Sequence, residues 1–428
     1  MDLAAVWARA GAGVVLAAAG LAAIGQPVCA HASAQVRNTD AARFQPSGAG
    51  LPFNPGRYRD FDDYVRQTRE RLERHKVYMD PGRKATELAA AAPFERTPAE
   101  GCPPASDGRA ARGILLLHGL ADMPLAMRDL ADAFAARCFL VRAMLLPGHG
   151  ARPGDLLEVT RGDWLAAVRF GVATLKADAG AVFAGGFSLG GLLVVHAVLG
   201  DPALRGAFLF SPALALERAW LVGQSVWLRH VLDWLDREAP DDYARYEAMP
   251  VNATAETFLL TRELAGLLER RRVAAPVFMA LGTGDPVIDA PAARAYFETR
   301  FSHPGSRLVV YRPDPREGPD PADARIGYVN SFLPAQRIAD FSHLSIHIAP
   351  DNAHYGARGD YRNCGQSSGE SAAAVARCLA AVHPWRGEVF GGSRAAVPDG
   401  EPLARLTYNP RFGELLDRID GFIAANGF

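Results

Sequence analysis

Between residues 181 and 195 the chain compresses a strand, a very tight turn and a helix into one short segment. The apolar run Ala181-Val182-Phe183-Ala184 leads into Gly186-Phe187-Ser188-Leu189-Gly190, and a second apolar run, Leu192-Leu193-Val194-Val195, follows Gly191. Glycines two residues before and two after the serine leave room for the helix to fold back against its own strand. The serine between them is forced into a strained turn with its hydroxyl exposed at the strand end. The pentapeptide alone is a weak signal, and the flanking strand and helix make it specific. Ser188 is the candidate nucleophile. The competing reading is a tight turn carrying a spectator serine.

The same strand-then-helix pattern recurs. Short apolar runs at 114–117, 139–146, 181–184, 207–210, 277–281 and 308–311 are each followed by a helical pattern. This predicts an α/β fold with a mostly parallel sheet and helices on both faces. Right-handed crossovers then place the strand C-termini along one edge, where ligands bind. The core is expected over 106–216 and 272–428. A helical cap at 217–271 interrupts it, with insertions at about 313–335, Pro-rich and charged, and at about 349–409. Residues 35–105 read as an N-terminal extension, with a loose lead-in followed by a surface helix over 58–79. An amphipathic helix over 411–425 closes the chain, displaying Phe412, Leu415, Leu416, Ile419 and Ile423.

Composition excludes one class of partner. The chain has 428 residues, 49% of them hydrophobic, and a formal net charge of -1. That allows a large core and gives no electrostatic basis for binding nucleic acid. At the N-terminus Arg9 precedes a small apolar run, followed by Ala30-His31-Ala32 and Ala32-Ser33-Ala34. This predicts a signal peptide over 1–34, cleaved before Gln35, and export to the periplasm or cell envelope. The apolar run, roughly 16 residues, is short of the about 20 that a spanning helix needs. An uncleaved membrane anchor is the alternative. Once Cys29 leaves with the leader, Cys102, Cys138, Cys364 and Cys378 remain, an even set that suits two disulfides in an oxidising compartment. Four buried thiols are the alternative.

Further motifs surround Ser188 in a fixed order. His118-Gly119 follows one strand and Pro147-Gly148-His149-Gly150 the next, while Asp163-Trp164 opens the helix before the serine strand. Gly284-Asp285 follows a later strand, and Ser342-His343 lies near the end. In these motifs the chain resembles the α/β-hydrolases, in particular the group of monoacylglycerol lipases, carboxylesterases and serine aminopeptidase-like enzymes. The resemblance covers about residues 110–345 and the last helix. It implies a nucleophile, an acid and a histidine in that chain order. A serine hydroxyl is a weak nucleophile until a base takes its proton, and a carboxylate holds that base in place.

Ser188, Asp285 and His343 satisfy the order. Asp289 is the rival acid, although its place before Ala290-Pro291 suits a helix cap. His347 and His354 are the rival bases; Ser342-His343-Leu344 matches the family loop. The interval from Asp285 to His343 is longer than the family usually shows, which the Pro-rich insertion would explain. His343 and His347 have the spacing of a zinc-binding pair, but Leu344 stands where a glutamate base is needed. No metal or cofactor is expected. The resemblance further implies an oxyanion hole from the backbone N–H groups of Leu120 and Leu189, with His118 and His149 bracing loops. In this fold the strands after Cys102 and Cys138 are parallel neighbours, which would bring those sulfurs together. Cys364 and Cys378 would close a short loop.

Trp220, Trp227 and Trp234 recur every seven residues in the expected cap, predicting one amphipathic helix with an aromatic stripe. The stripe either packs the cap onto the core or lines an acyl pocket and meets a membrane surface. The function expected is an exported serine hydrolase of lipid-like carboxylic esters. A peptidase or amidase on the same residues is one alternative, for which Glu217, Glu238 or Asp241 could hold a substrate amine. A non-catalytic lipid-binding envelope protein is the other.

Overall fold

The computed structural model describes residues 38–238, 240–314, 322–365 and 371–428. The expected leader, residues 1–34, lies outside them. Eight strands form the central sheet: β1 (Phe94–Arg96), β2 (Ala110–Leu117), β3 (Phe139–Met144), β4 (Ala179–Phe187), β5 (Leu204–Phe210), β6 (Val277–Gly282), β7 (Arg307–Arg312) and β8 (Ile326–Asn330). Their spatial order is β1-β3-β2-β4-β5-β6-β7-β8. The β1–β3 pair is antiparallel and the other pairs are parallel. Along β2, Leu115 and Leu117 join one apolar cluster while Ile114 and Leu116 join a second. All four are fully buried. The uninterrupted apolar run is therefore a two-sided strand, each such side chain contributing about 1.5–3 kcal/mol of burial. The last helix, Phe412–Ala425, covers one face with Phe412, Leu415, Ile419, Phe422 and Ile423.

Two expectations change. The lead-in is not loose: the Phe53 amide donates to Asp163 Oδ1 at 2.7 Å, and Phe53, Tyr58, Tyr64 and Phe170 form one aromatic group. The following helix, Phe61–His75, buries Phe61, Tyr64 and Leu72 in the core. Its dense arginines hid a narrow buried stripe. Residues 315–321 of the expected insertion at 313–335 lie outside the described residues, but its later part belongs to the core, because β8 extends the sheet beside β7. Both expected disulfides, Cys102–Cys138 and Cys364–Cys378, are present, and β2 and β3 are indeed parallel neighbours.

The segment 217–271 is only partly helical. A 20-residue helix, Val251–Arg270, follows a two-stranded ribbon in which Trp234–Asp236 pairs with Met249–Pro250. The expected Trp helix is broken into Ala219–Val222 and Ser225–Leu228, and Trp234 lies in the ribbon. Ser225 is one cause of the break, since its hydroxyl bonds back to the Val222 carbonyl at 2.7 Å and competes with helical pairing. Gly223 lets Phe258 pack close, since a Cβ at that position would lie 2.9 Å from its ring. Among the described residues no helix is long and apolar enough to cross a membrane.

Candidate active site

Ser188 sits between β4 and the helix Leu189–Gly200 with φ 52° and ψ -115°, a positive-φ conformation that a serine adopts only under constraint. The constraint comes from close packing around it. A Cβ at position 186 would lie 2.3 Å from the Gly190 carbonyl carbon, and one at position 190 would lie 2.1 Å from the Leu117 oxygen. Any side chain there would push the helix off the sheet. The Ser188 amide is fixed by the Phe210 carbonyl at 3.0 Å.

Three residues distant in sequence converge at this turn. His343 Nε2 lies 3.1 Å from Ser188 Oγ, and His343 Nδ1 lies 2.6 Å from Asp285 Oδ2. Asp285 is fixed in turn by the amides of Val287 and Ile288, which donate to its Oδ1 at 2.9 and 3.0 Å. All three residues are buried. The bond from Asp285 selects the tautomer with the proton on Nδ1 and leaves Nε2 free to accept from the serine. Asp289 instead caps the next helix, accepting from the Ala292 amide at 2.9 Å.

The two loops beside Ser188 are built on neutral histidines. His118 Nε2 accepts from the Leu146 amide at 3.0 Å while its Nδ1 contacts the Gly119 carbonyl at 2.8 Å. His149 Nε2 accepts from the Ala121 amide at 3.1 Å. Burial holds both well towards the uncharged form: His118 falls well below its ordinary value, and His149 is pushed down to about 4. Trp164 Nε1 donates to the Pro147 carbonyl at 3.0 Å, tying the same loop to the helix before β4. The amide of Leu189 opens a helix and has no acceptor within it. Leu120 lies between the braced Gly119 and Ala121 and lines the cavity over Ser188.

That cavity encloses about 870 Å³ including its open mouth. Leu216, Val222, Met249, Val287 and Leu344 supply apolar wall. Trp220, Trp227 and Trp234 do not line it. Trp220 and Trp227 are 66% and 76% exposed, while Trp234 is buried in the ribbon. The break in the expected helix is the reason, because it destroys the shared face on which the seven-residue spacing relied.

Four cavity or near-cavity residues went unrecognised in the sequence. Asp122 and Arg245 line the cavity, and Arg405 reaches it from the late insertion. Glu388, fully buried, accepts from the His343 amide at 3.2 Å and from Arg405 at 2.9 Å. Burial raises the Asp122 carboxyl above its ordinary range, with Arg245 opposing the shift. These residues lie in segments of irregular charge pattern, which carry no periodic signal.

The rival histidines have other partners. His354 Nε2 lies 2.8 Å from Asp242 Oδ1 and its Nδ1 lies 2.5 Å from Asp360 Oδ1. His347 stacks on Phe187 at 4.2 Å between centroids and is fully buried.

The family model described as "Serine aminopeptidase, S33" matches residues 108–247. The thermostable monoacylglycerol lipase of Bacillus sp. (strain H-257) is 29% identical over 189 residues, covering 44% of this chain and 75% of that protein. Similar solved structures include one described under two metagenome-derived lipolytic enzymes, LipS and LipT, with 22% identity, a TM-score of 0.44, and coverage of 51% of this chain and 86% of that one. Another is a Paleococcus ferrophilus monoacylglycerol lipase, with 20% identity, a TM-score of 0.42, and coverage of 53% and 92%.

Proposed function

The chain belongs to the α/β-hydrolase superfamily and is an esterase- or lipase-like hydrolase, and from that premise we propose that it is an exported serine hydrolase cleaving lipid-like carboxylic esters through an acyl-enzyme. The observation that carries this reading is the hydrogen-bonded series from Ser188 Oγ through His343 to Asp285 beneath a largely apolar cavity. Ser188 Oγ attacks the ester carbonyl while His343 Nε2 takes its proton. Asp285 stabilises the imidazolium that forms. The oxygen of the tetrahedral intermediate is held by the Leu120 and Leu189 amides. Collapse breaks the bond to the alcohol, which leaves with the proton from His343. Water, deprotonated by His343, then attacks the acyl-enzyme, and the acid departs with Ser188 restored.

The exposed Trp220, Trp227 and Val231, the last 84% exposed, support contact of the outer face of this segment with a lipid surface. Export is supported by the small-residue leader and by two disulfides. A second reading, an amidase or aminopeptidase, draws on Glu217 in the cavity lining, which could hold a substrate amine. Rapid-mixing kinetics on 4-nitrophenyl acyl esters and aminoacyl 4-nitroanilides separate the two. The ester reading predicts a burst of one nitrophenol per Ser188 and negligible anilide turnover. Anilide cleavage exceeding that of matched esters would reverse the assignment.

A further inference from the structure

The two arginines that line the cavity are used differently. The Arg405 guanidinium is engaged by Glu388, with Nε and Nη2 donating to the same carboxylate oxygen at 3.2 and 2.9 Å. Arg245 reaches one carboxylate, Asp122, through Nε at 3.5 Å, outside ordinary hydrogen-bond distance. Its Nη1 and Nη2 have no hydrogen-bond acceptor among the described residues. Its side chain is 23% exposed, and it lines the cavity that holds Ser188.

The placement of Arg245 is rigid. Asp122 and Arg245 form an antiparallel bridge, and the Tyr246 amide donates to the Ala121 carbonyl at 2.8 Å. The guanidinium therefore rides on the loop that carries Leu120. Holding a guanidinium partly out of water with empty donors is unfavourable unless something fills them. A guanidinium fork matches two oxygens of one anionic group.

We propose that Arg245 determines specificity by binding an anionic oxygen group of the substrate, so that the esters preferred at Ser188 are amphiphiles with a carboxylate or phosphate end. This rests on the serine-hydrolase reading above. Two matched pairs test it and separate the sources of the anion. On the acyl side, 4-nitrophenyl hexanoate is compared with the 4-nitrophenyl monoester of adipic acid. On the alcohol side, a monoacylglycerol is compared with the corresponding acylglycerol phosphate. In at least one pair the wild type should favour the anionic member, and Arg245→Met should cut kcat/KM for that member by about 10- to 100-fold while changing the neutral one less than about threefold. Arg245→Lys should restore part of the loss. An anionic-to-neutral ratio equal in wild type and variant for both pairs overturns the proposal. Binding is read separately from turnover: hexanoate, but not hexanol, should raise the melting temperature of the wild type and not of Arg245→Met. A wild type that hydrolyses no ester and takes no fluorophosphonate would defeat the hydrolase reading, and the hexanoate shift would then decide the subsite alone.

Discussion

His343 and His354 are both buried and both face carboxylates, yet only one is arranged to move a proton. His343 has Asp285 on Nδ1 and the Ser188 hydroxyl on Nε2, so one ring nitrogen is oriented and the other meets a reactive group. His354 has carboxylates on both nitrogens, Asp360 and Asp242, and Asp242 is further bonded by Tyr355 at 2.8 Å. Burial disfavours a charge on His354, but the two carboxylates outweigh it and raise its pKa. A histidine that keeps its proton is an ionic tie between segments distant in sequence, not a base. The difference lies in what the second nitrogen meets.

Substitution should separate the two histidines most sharply. His343→Ala should lower kcat on short esters by about 10³-fold or more with the fold intact. His354→Gln should leave kcat within a few-fold and cost stability, about 3 kcal/mol, because it strands the buried Asp242. Urea midpoints and ester kinetics on both variants check this. A His354 variant that folds normally and loses activity as His343→Ala does would move the base.

Acid should separate the histidines as well. His118, His149 and His347 are held below their ordinary value, His149 at about 4 and His347 at about 3, mainly by burial. Below about pH 6.5 the unfolded chain takes up these protons before the folded one, so they make stability fall with falling pH. His354 has the opposite sign: its contribution is complete below its unfolded pKa and is lost as pH rises through its folded one. His347→Phe should make the loss of unfolding free energy between pH 6.5 and 4, read from urea midpoints, shallower by up to about 1.4 kcal/mol per pH unit. An unchanged slope would show that His347 is not neutral and buried in solution.

The smallest effect is expected at Trp227. At 76% exposure and away from the cavity, Trp227→Ala should change stability by about 0.5 kcal/mol or less. The kcat/KM ratio of long to short soluble esters should stay within about twofold, while binding to lipid vesicles weakens. A changed chain-length ratio would place the indole at the acyl site after all.

The sequence was readable where chemistry is local. The turn at Ser188 needs small residues at 186 and 190 whatever surrounds it, and Asp285 follows its strand directly. The order of the motifs singled out His343, although β8 intervenes between it and Asp285. The Trp spacing misled because a seven-residue repeat predicts a shared face only if the helix is continuous, and the chain breaks at Gly223–Ser225. Arg245, Glu388 and Arg405 were illegible for another reason. Each acquires its role from a contact across the fold, with Asp122, His343 and Glu388 respectively, and irregular segments leave no periodic trace of such contacts.

The proposed chemistry stands or falls with Ser188 as the nucleophile. Labelling the whole protein with a fluorophosphonate and locating the adduct by peptide mass spectrometry tests it directly. One adduct per chain is expected, on the peptide containing Ser188, with labelling and ester hydrolysis both lost in a folded Ser188→Ala variant. An adduct on another residue, or undiminished hydrolysis by Ser188→Ala, would contradict it.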